Sequence, residues 1–121
     1  RDFTYIDDIV EGIVRIQNII PQSNTEWKGQ TDESAAPYKI FNIGNNQPVE
    51  LEYFIQQIET SLGTPAVKEY LPMQAGDVVE TFADIDALSK ATGFTPDTPI
   101  EEGVRRFIEW YREYYKGANK G

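Results

Sequence analysis

The amino-terminal end of the chain decides the fold, and residues 1–21 there read RDFTYIDDIVEGIVRIQNIIP. A short extended run over residues 3–6 is followed by apolar residues at the three-and-four spacing of an amphipathic helix. Asp7 or Asp8 stands at the start of that helix, where a carboxylate complements the helix dipole, and a proline stops it. The spacing therefore predicts a first strand and then a first helix over residues 8–20.

The rest of the chain continues this alternation of strands and helices. Strands are predicted over residues 38–43 and 66–71, because each is a short, mostly apolar run that closes on a polar turn. A second helix stops at Gly63, and a third runs from Ile85 to Thr92. The last helix is predicted to begin at a capping box made by residues 98–101, Thr-Pro-Ile-Glu. Together these elements predict a small mixed α/β domain of about three short strands and four helices.

The composition and net charge of the chain exclude several classes of partner and of catalytic site. The 121 residues include 11 Lys plus Arg and 20 Asp plus Glu, which gives a formal net charge of −9. This charge repels nucleic-acid backbones and anionic lipid surfaces, so we expect neither nucleic acid nor membrane as a partner. The absence of Cys and His excludes a thiolate nucleophile, an imidazole base and a zinc site of the usual ligands. With no apolar run of membrane-spanning length and no leader, we expect a cytoplasmic protein.

Two short segments carry groups that suit a substrate. The guanidinium of Arg1 can bind a phosphate through two parallel hydrogen bonds, although an ion pair with neighbouring Asp2 is the simpler interpretation. In the loop 74–77, Gly76 permits close approach of the backbone. Asp77 offers only acceptors there, which suits a pair of hydroxyls on a ribose or another sugar. A plain turn is the competing interpretation of this loop.

Other conspicuous residues are interpreted as structural. Asp7 and Asp8 are predicted to cap the first helix rather than to act as a catalytic pair. The Gly-Asn-Asn sequence at residues 44–46 is typical of a turn. The tyrosines and Trp110 of the last helix stand at helical spacing, which indicates packing rather than a ring-stacking site.

Five motifs taken together point to a known family. In chain order they are residues 1–8 (RDFTYIDD), 41–44 (FNIG), 71–78 (LPMQAGDV), 81–84 (TFAD) and 93–96 (GFTP). In order and spacing they resemble the extended short-chain dehydrogenase/reductase family of NAD-dependent nucleotide-sugar epimerases. The similarity is strongest to the UDP-glucuronate 4-epimerase branch, whose members are also known as capsular polysaccharide biosynthesis proteins. The chain resembles the carboxyl-terminal third of such enzymes.

The resemblance implies a division of the protein into parts. Residues 1–116 would be the UDP-sugar-binding, C-terminal part of a Rossmann-type enzyme, and residues 117–121 a frayed tail. The chain opens at Arg1 straight into a strand, which indicates a cut within a longer protein whose amino-terminal Rossmann domain binds NAD. The resemblance also implies a homodimer. In the family, a hydride leaves C4 of the sugar for NAD and returns to the opposite face, while the present segment binds and orients the substrate.

The resemblance also implies substrate-binding roles for individual residues. Arg1 would contact the diphosphate, Asp77 would accept hydrogen bonds from the uridine ribose, and Gln74 lies where many relatives carry an arginine on the nucleotide. Ala75 departs from the proline often seen before the glycine, which leaves the role of Gln74 open. The chain has no glycine-rich dinucleotide fingerprint and no Tyr followed by Lys four residues later. We therefore expect no catalytic, cofactor-binding or metal-binding residue here, and no activity from this chain alone.

Two other functions remain compatible with these residues. A nucleotide-sugar dehydratase or decarboxylase of the same superfamily shares the architecture and the anchoring of the nucleotide. A non-enzymatic α/β interaction module would instead use the aromatic face of the last helix as its contact surface.

Overall fold

The computed structural model describes residues 1–118, and this part of the chain contains four helices. They are α1 (Ile6–Ile16), α2 (Leu51–Leu62), α3 (Asp86–Thr92) and α4 (Ile100–Ala118). α1 packs on α3, and α2 packs on α4. Ahead of α1, Phe3 stacks on Phe54 of α2 with 4.2 Å between ring centroids. The amino-terminal residues therefore join the two helix pairs.

The three predicted strands are not confirmed, because the described residues form no β-ladder. Two isolated antiparallel bridges are present instead, between Asp2 and Pro48 and between Glu33 and Lys39. A strand is stable only when a neighbour pairs with its N–H and C=O groups along its length. Hydrophobic spacing shows which segments suit a strand, but it does not show whether such a neighbour exists.

α1 is shifted towards the amino terminus relative to the predicted range 8–20. It begins at Ile6 and ends at Ile16. Beyond its end the chain makes a tighter turn, in which the N–H of Ile19 donates to the carbonyl of Ile16 at 2.8 Å. Pro21 follows closely, and proline keeps the residue before it out of the helical conformation. The proline restricts only Ile20, so α1 ends at the tighter turn, before the proline that was predicted to stop it.

The predicted placement of Asp7 and Asp8 at the start of α1, where they complement the helix dipole, is confirmed, but neither residue is the N-cap. Tyr5 holds the N-cap position, and both aspartates lie inside the first turn. Asp8 is buried, and its Oδ2 accepts the N–H of Thr98 at 3.0 Å. This bond ties α1 to the loop before α4, so the partner of Asp8 is distant in the sequence and invisible to spacing rules.

α2 and α3 end as predicted, each at a glycine in the left-handed conformation. Gly63 has a φ of 71° and donates its N–H to the carbonyl of Glu59 at 2.8 Å. Gly93 closes α3 with a φ of 66°. Only glycine adopts this conformation without strain, so each residue stops its helix.

α4 begins at Ile100 without the predicted capping box. The carboxylate of Glu101 accepts the hydroxyl of Tyr53 on α2 instead of folding back onto the helix end. This bond lowers the pKa of Glu101. Packing against α2 therefore supplies a partner that competes with the local cap. α4 continues through Ala118, so the predicted tail at 117–121 starts inside the helix, and its last residues, 119–121, lie outside the described part.

The apolar stripe of α4 is buried only in the first half of the helix. Val104 and Ile108 are buried, and with Ile85 and the fully buried Leu88 they form the hydrophobic core. The aromatic side chains from Phe107 onward are between 43% and 61% exposed and contact one another; they are Phe107, Trp110, Tyr111, Tyr114 and Tyr115. The predicted packing thus holds for the aliphatic residues, whereas the rings form an exposed row.

Glu102 of α4 binds two arginines at once. Its carboxylate accepts hydrogen bonds from Arg105 at 2.8 and 2.9 Å and from Arg106 at 2.6 Å. The bonds to Arg105 and then to Arg106 lower the pKa of Glu102 from its ordinary 4.5 to about 2. A carboxyl whose folded pKa lies below its unfolded pKa stabilises the fold above the unfolded value and loses that contribution as the pH falls through the folded value.

We expect Glu102→Gln to lower the melting temperature at pH 7 and to have a much smaller effect near pH 2, because the wild-type carboxyl is then about half protonated in the folded state. Melting curves by circular dichroism from pH 7 to pH 2 measure the difference. Glu113→Gln, on the same helix and outside these ion pairs, is the control and should change little at any pH. A difference that persists unchanged at pH 2 would contradict this explanation.

Candidate substrate site

The loop containing the predicted binding residues is a turn that depends on glycine. The N–H of Asp77 donates to the carbonyl of Gln74 at 3.2 Å, and Gly76 has a φ of 89°. Ala75 has no positive φ. This is the arrangement of a type II turn, whose third residue requires a positive φ and whose second position favours proline. The glycine therefore sets the direction in which Asp77 leaves the turn.

Arg1 and Asp77 are in direct contact, although most of the chain separates them. The guanidinium donates through Nη2 to Oδ1 of Asp77 and through Nη1 to the carbonyl of Val78. Both side chains remain accessible, with exposed fractions of 36% for Arg1 and 51% for Asp77. The competing prediction, an ion pair between Arg1 and Asp2, is wrong because Arg1 binds Asp77 instead. The fold thus joins two residues that the sequence marked separately.

Gln74 lies at the start of the same turn, but its side chain takes no part in this contact. Its carbonyl accepts the N–H of Asp77, while the side chain is exposed and makes no hydrogen bond to residues 1–118. The role of the Gln74 side chain towards a nucleotide therefore stays a prediction.

The backbone around Arg1 is held by the residues that precede α2. The main-chain nitrogen of Arg1 donates to the carbonyl of Val49 at 2.9 Å, and the N–H of Val49 donates back to the carbonyl of Arg1 at 2.8 Å. The bridge between Asp2 and Pro48 extends this pairing. Arg1 therefore projects from a paired segment rather than from a frayed end.

Three polar residues beside this segment make contacts that their sequence positions did not predict; they are Asp2, Thr4 and Asn45. Oδ2 of Asp2 accepts N–H groups from two different loops. Asn45 is buried, and its N–H donates to Oγ1 of Thr4 at 3.2 Å while its Nδ2 donates to the carbonyl of Thr98 at 3.4 Å. The one available signal was the position of Asp2 beside Arg1, because the partners of all three residues lie far away in the sequence.

The described residues do not fit a dinucleotide. A pyrophosphate binds at a helix start that is preceded by a glycine-rich turn and bears free N–H groups. All four helices here carry carboxylates in the first turn instead, namely Asp7, Asp8, Glu52, Asp86, Glu101 and Glu102. These charges repel a pyrophosphate. Within residues 1–118, no group of three or more acidic side chains is arranged to hold a metal ion.

The fold is shared with part of an NADH-binding enzyme. The crystal structure of the Bordetella bronchiseptica enzyme WbmF in complex with NADH matches with a TM-score of 0.68 and 20% sequence identity. The match covers 99% of this chain and 31% of that enzyme. At this level of identity the likeness shows the fold alone.

Curated relatives are closer in sequence. Protein CapI of Staphylococcus aureus is 50% identical over 119 residues, which cover 96% of this chain. A probable UDP-glucuronate 4-epimerase of Rhizobium meliloti is 46% identical over 123 residues, which cover 98%. The chain spans 36% of the length of each of these relatives. The predicted resemblance to the UDP-glucuronate 4-epimerase branch is thus confirmed, and no protein-family model matches the chain.

None of the helices in residues 1–118 is both long and apolar enough to cross a lipid bilayer.

Proposed function

We propose that this chain is the nucleotide-sugar-binding portion of an NAD-dependent UDP-glucuronate 4-epimerase that supplies precursors of cell-surface polysaccharides. The observation that carries the proposal is the contact between Arg1 and Asp77 at the glycine turn. It places a cation and an acceptor side by side on an accessible surface. The similarity to the probable UDP-glucuronate 4-epimerase of Rhizobium meliloti supplies the reaction and the sugar.

The two side chains suit the two halves of a UDP group. A guanidinium binds a phosphate through two parallel charge-assisted hydrogen bonds, which suits Arg1 to the diphosphate. A carboxylate has only acceptors, which suits Asp77 to the two hydroxyls of a ribose. Gln74 would then lie along the nucleotide from the first position of the turn.

Binding of UDP would exchange the partner of Arg1. The present ion pair is about one-third to one-half exposed, and exposed pairs contribute about 0 to 1 kcal/mol. Hydrogen bonds to charged groups contribute about 1.5 to 3 kcal/mol each, so a diphosphate and a ribose outweigh the contact that they separate. In the free protein the pair orders the two side chains without blocking the substrate.

The rest of the proposed enzyme would bind NAD and carry the reacting groups. The acidic helix starts of this chain do not suit a dinucleotide, and α1 exposes an apolar face made by Ile6, Val10, Ile13 and Val14. Exposed apolar patches of this kind mark contact surfaces, which fits a second domain packed on α1. Homodimer assembly and a cytoplasmic location remain part of the proposal.

The proposal predicts different ligands for the chain and for the complete protein that carries it. The complete protein should convert UDP-glucuronate into its C4 epimer and bind both UDP and NAD. The 121-residue chain should show no turnover and no NAD binding by calorimetry, because the site for NAD lies elsewhere. NAD binding to the chain at micromolar concentration would contradict the division of roles.

The product of the complete protein distinguishes the alternatives. Loss of water or of carbon dioxide from the sugar would indicate the dehydratase or decarboxylase. The exposed aromatic row of α4 favours the interaction module as a second candidate, because exposed tyrosine and tryptophan are enriched at protein interfaces. A complete protein that neither binds UDP nor changes a UDP-sugar would support that module.

A further inference from the structure

The carboxylate of Asp2 joins three segments of the chain. Its Oδ2 accepts the N–H of Asn46 at 3.1 Å and the N–H of Ala83 at 3.0 Å. Asp2 itself belongs to the amino-terminal segment, Asn46 to the turn before α2 and Ala83 to the loop before α3. A single oxygen atom of Asp2, the residue after Arg1, therefore binds both loops.

Gly44 shows how closely these segments approach. A Cβ atom at Gly44 would lie 2.9 Å from Oδ2 of Asp2 and 2.5 Å from Cβ of Ala83. Both distances are shorter than a carbon atom tolerates, so any larger residue at position 44 must displace Asp2, Ala83 or both. We call the meeting point of Asp2, Gly44, Asn46 and Ala83 the junction. It requires a glycine as well as the carboxylate.

The junction is connected to the candidate site at both ends. Arg1 directly precedes Asp2, and its guanidinium holds Asp77 and Val78. Ala83 lies a few residues after Asp77 along the same loop and is bonded to Asp2. The segment from Asp77 to Ala83 is therefore attached at its two ends to two adjacent residues, Arg1 and Asp2.

We propose that Asp2 is a positioning residue for the UDP site, an inference that rests on the proposed function. Asp2 does not touch the substrate. It sets the separation between Arg1 and the loop that carries Asp77, so that the guanidinium and the carboxylate face one diphosphate and one ribose together. Without the two hydrogen bonds to Asp2, the side chains of Arg1 and Asp77 are both still present, but the distance between them varies.

Asp8 supplies a matched control. It is also an aspartate near the amino terminus, it is buried, and its Oδ2 accepts one backbone N–H, that of Thr98, at 3.0 Å. Its bond ties α1 to the loop before α4 and touches neither Arg1 nor the segment 77–83. Removal of Asp8 therefore tests loss of stability without loss of the junction.

The experiment uses the complete protein with UDP and UDP-glucuronate. We expect Asp2→Ala to raise the KM for UDP-glucuronate and the Kd for UDP about ten-fold, with kcat changed by less than about two-fold. Asp2→Asn keeps an oxygen at the position of Oδ2 and should stay within about three-fold of the wild type. Gly44→Ala should resemble Asp2→Ala, because it displaces the junction without removing a polar group. Asp8→Ala should lower the melting temperature and leave the Kd for UDP unchanged.

The outcomes separate this inference from the proposed function. If Arg1→Ala weakens UDP binding but Asp2→Ala and Gly44→Ala do not, the positioning role is wrong and the binding site stands. If Asp8→Ala raises the KM as much as Asp2→Ala does, the effect of Asp2 is general loss of stability, and the inference is overturned. If Arg1→Ala itself leaves UDP affinity unchanged, the proposed function is wrong. Should Asp2→Ala fail to fold, Gly44→Ala measured against Asp2→Asn decides the question.

Discussion

Replacing Arg1 with alanine should weaken the affinity of the complete protein for UDP by about ten-fold to a hundred-fold. The change removes the charge-assisted bonds that Arg1 would make to the diphosphate, and bonds to charged groups contribute about 1.5 to 3 kcal/mol. NAD affinity should stay the same, because the helix starts of this chain do not suit a dinucleotide. Titration calorimetry with UDP and with NAD measures both effects.

Arg15→Ala is the matched control for this measurement. Arg15 is also an accessible arginine paired with a carboxylate, that of Glu11 at 2.6 Å on the same helix. Its loss removes one positive charge without touching the turn at Gly76, so UDP affinity should change little. Equal loss of affinity in both variants would show a general charge effect and would contradict a specific role for Arg1.

Asp77→Ala should also weaken UDP binding, and Asp77→Asn should weaken it less. The amide of asparagine keeps one acceptor for a ribose hydroxyl, whereas alanine keeps none. Asp77→Ala also removes the ion pair with Arg1, which leaves the guanidinium, still bonded to the carbonyl of Val78, available to the diphosphate. The loss in Asp77→Ala should therefore be larger for uridine, which keeps the ribose but lacks the diphosphate, than for UDP. A larger loss for UDP would contradict the assignment of Asp77 to the ribose.

Leu88→Ala should lower the free energy of unfolding of the 121-residue chain by about 2 to 5 kcal/mol. Leu88 is fully buried, as is Pro96, and the other buried large aliphatic side chains of the described part are Ile85, Val104 and Ile108. A cavity in so small a core removes a large share of a typical stability of about 5 to 15 kcal/mol. Urea unfolding followed by circular dichroism measures the change.

Leu51→Ala makes the same chemical change at an exposed position. Leu51 is 66% exposed at the start of α2, and surface substitutions of this kind change stability by about 0.5 kcal/mol or less. Equal losses for Leu51→Ala and Leu88→Ala would show that α3 does not supply the core.

The candidate site was predictable residue by residue, but its assembly was not. Arg1 and Asp77 stood out as single residues through their motifs, and Gly76 indicated a turn. Their contact was hidden because a competing partner, Asp2, lies next to Arg1 in the sequence. The structure gives Asp2 two backbone N–H groups and gives Arg1 the carboxylate of Asp77. The choice between partners depends on which loops meet, and that is a property of the whole fold.

The sequence by itself determined the features that depend on neighbouring residues. Gly63 and Gly93 end their helices and Gly76 makes the turn, because a positive φ is a local property of glycine. Apolar residues at helical spacing likewise indicated where the helices lie. These features need no information about distant parts of the chain.

The tertiary structure alone decided the features that depend on a distant partner. Asp8 accepts the N–H of Thr98, and Glu101 accepts the hydroxyl of Tyr53 instead of capping α4. The predicted strands lack ladder partners in residues 1–118, so their backbone groups pair only at isolated bridges. A hydrogen bond across the fold offers as much energy as a local one, so local preference yields wherever packing brings a distant donor or acceptor within reach.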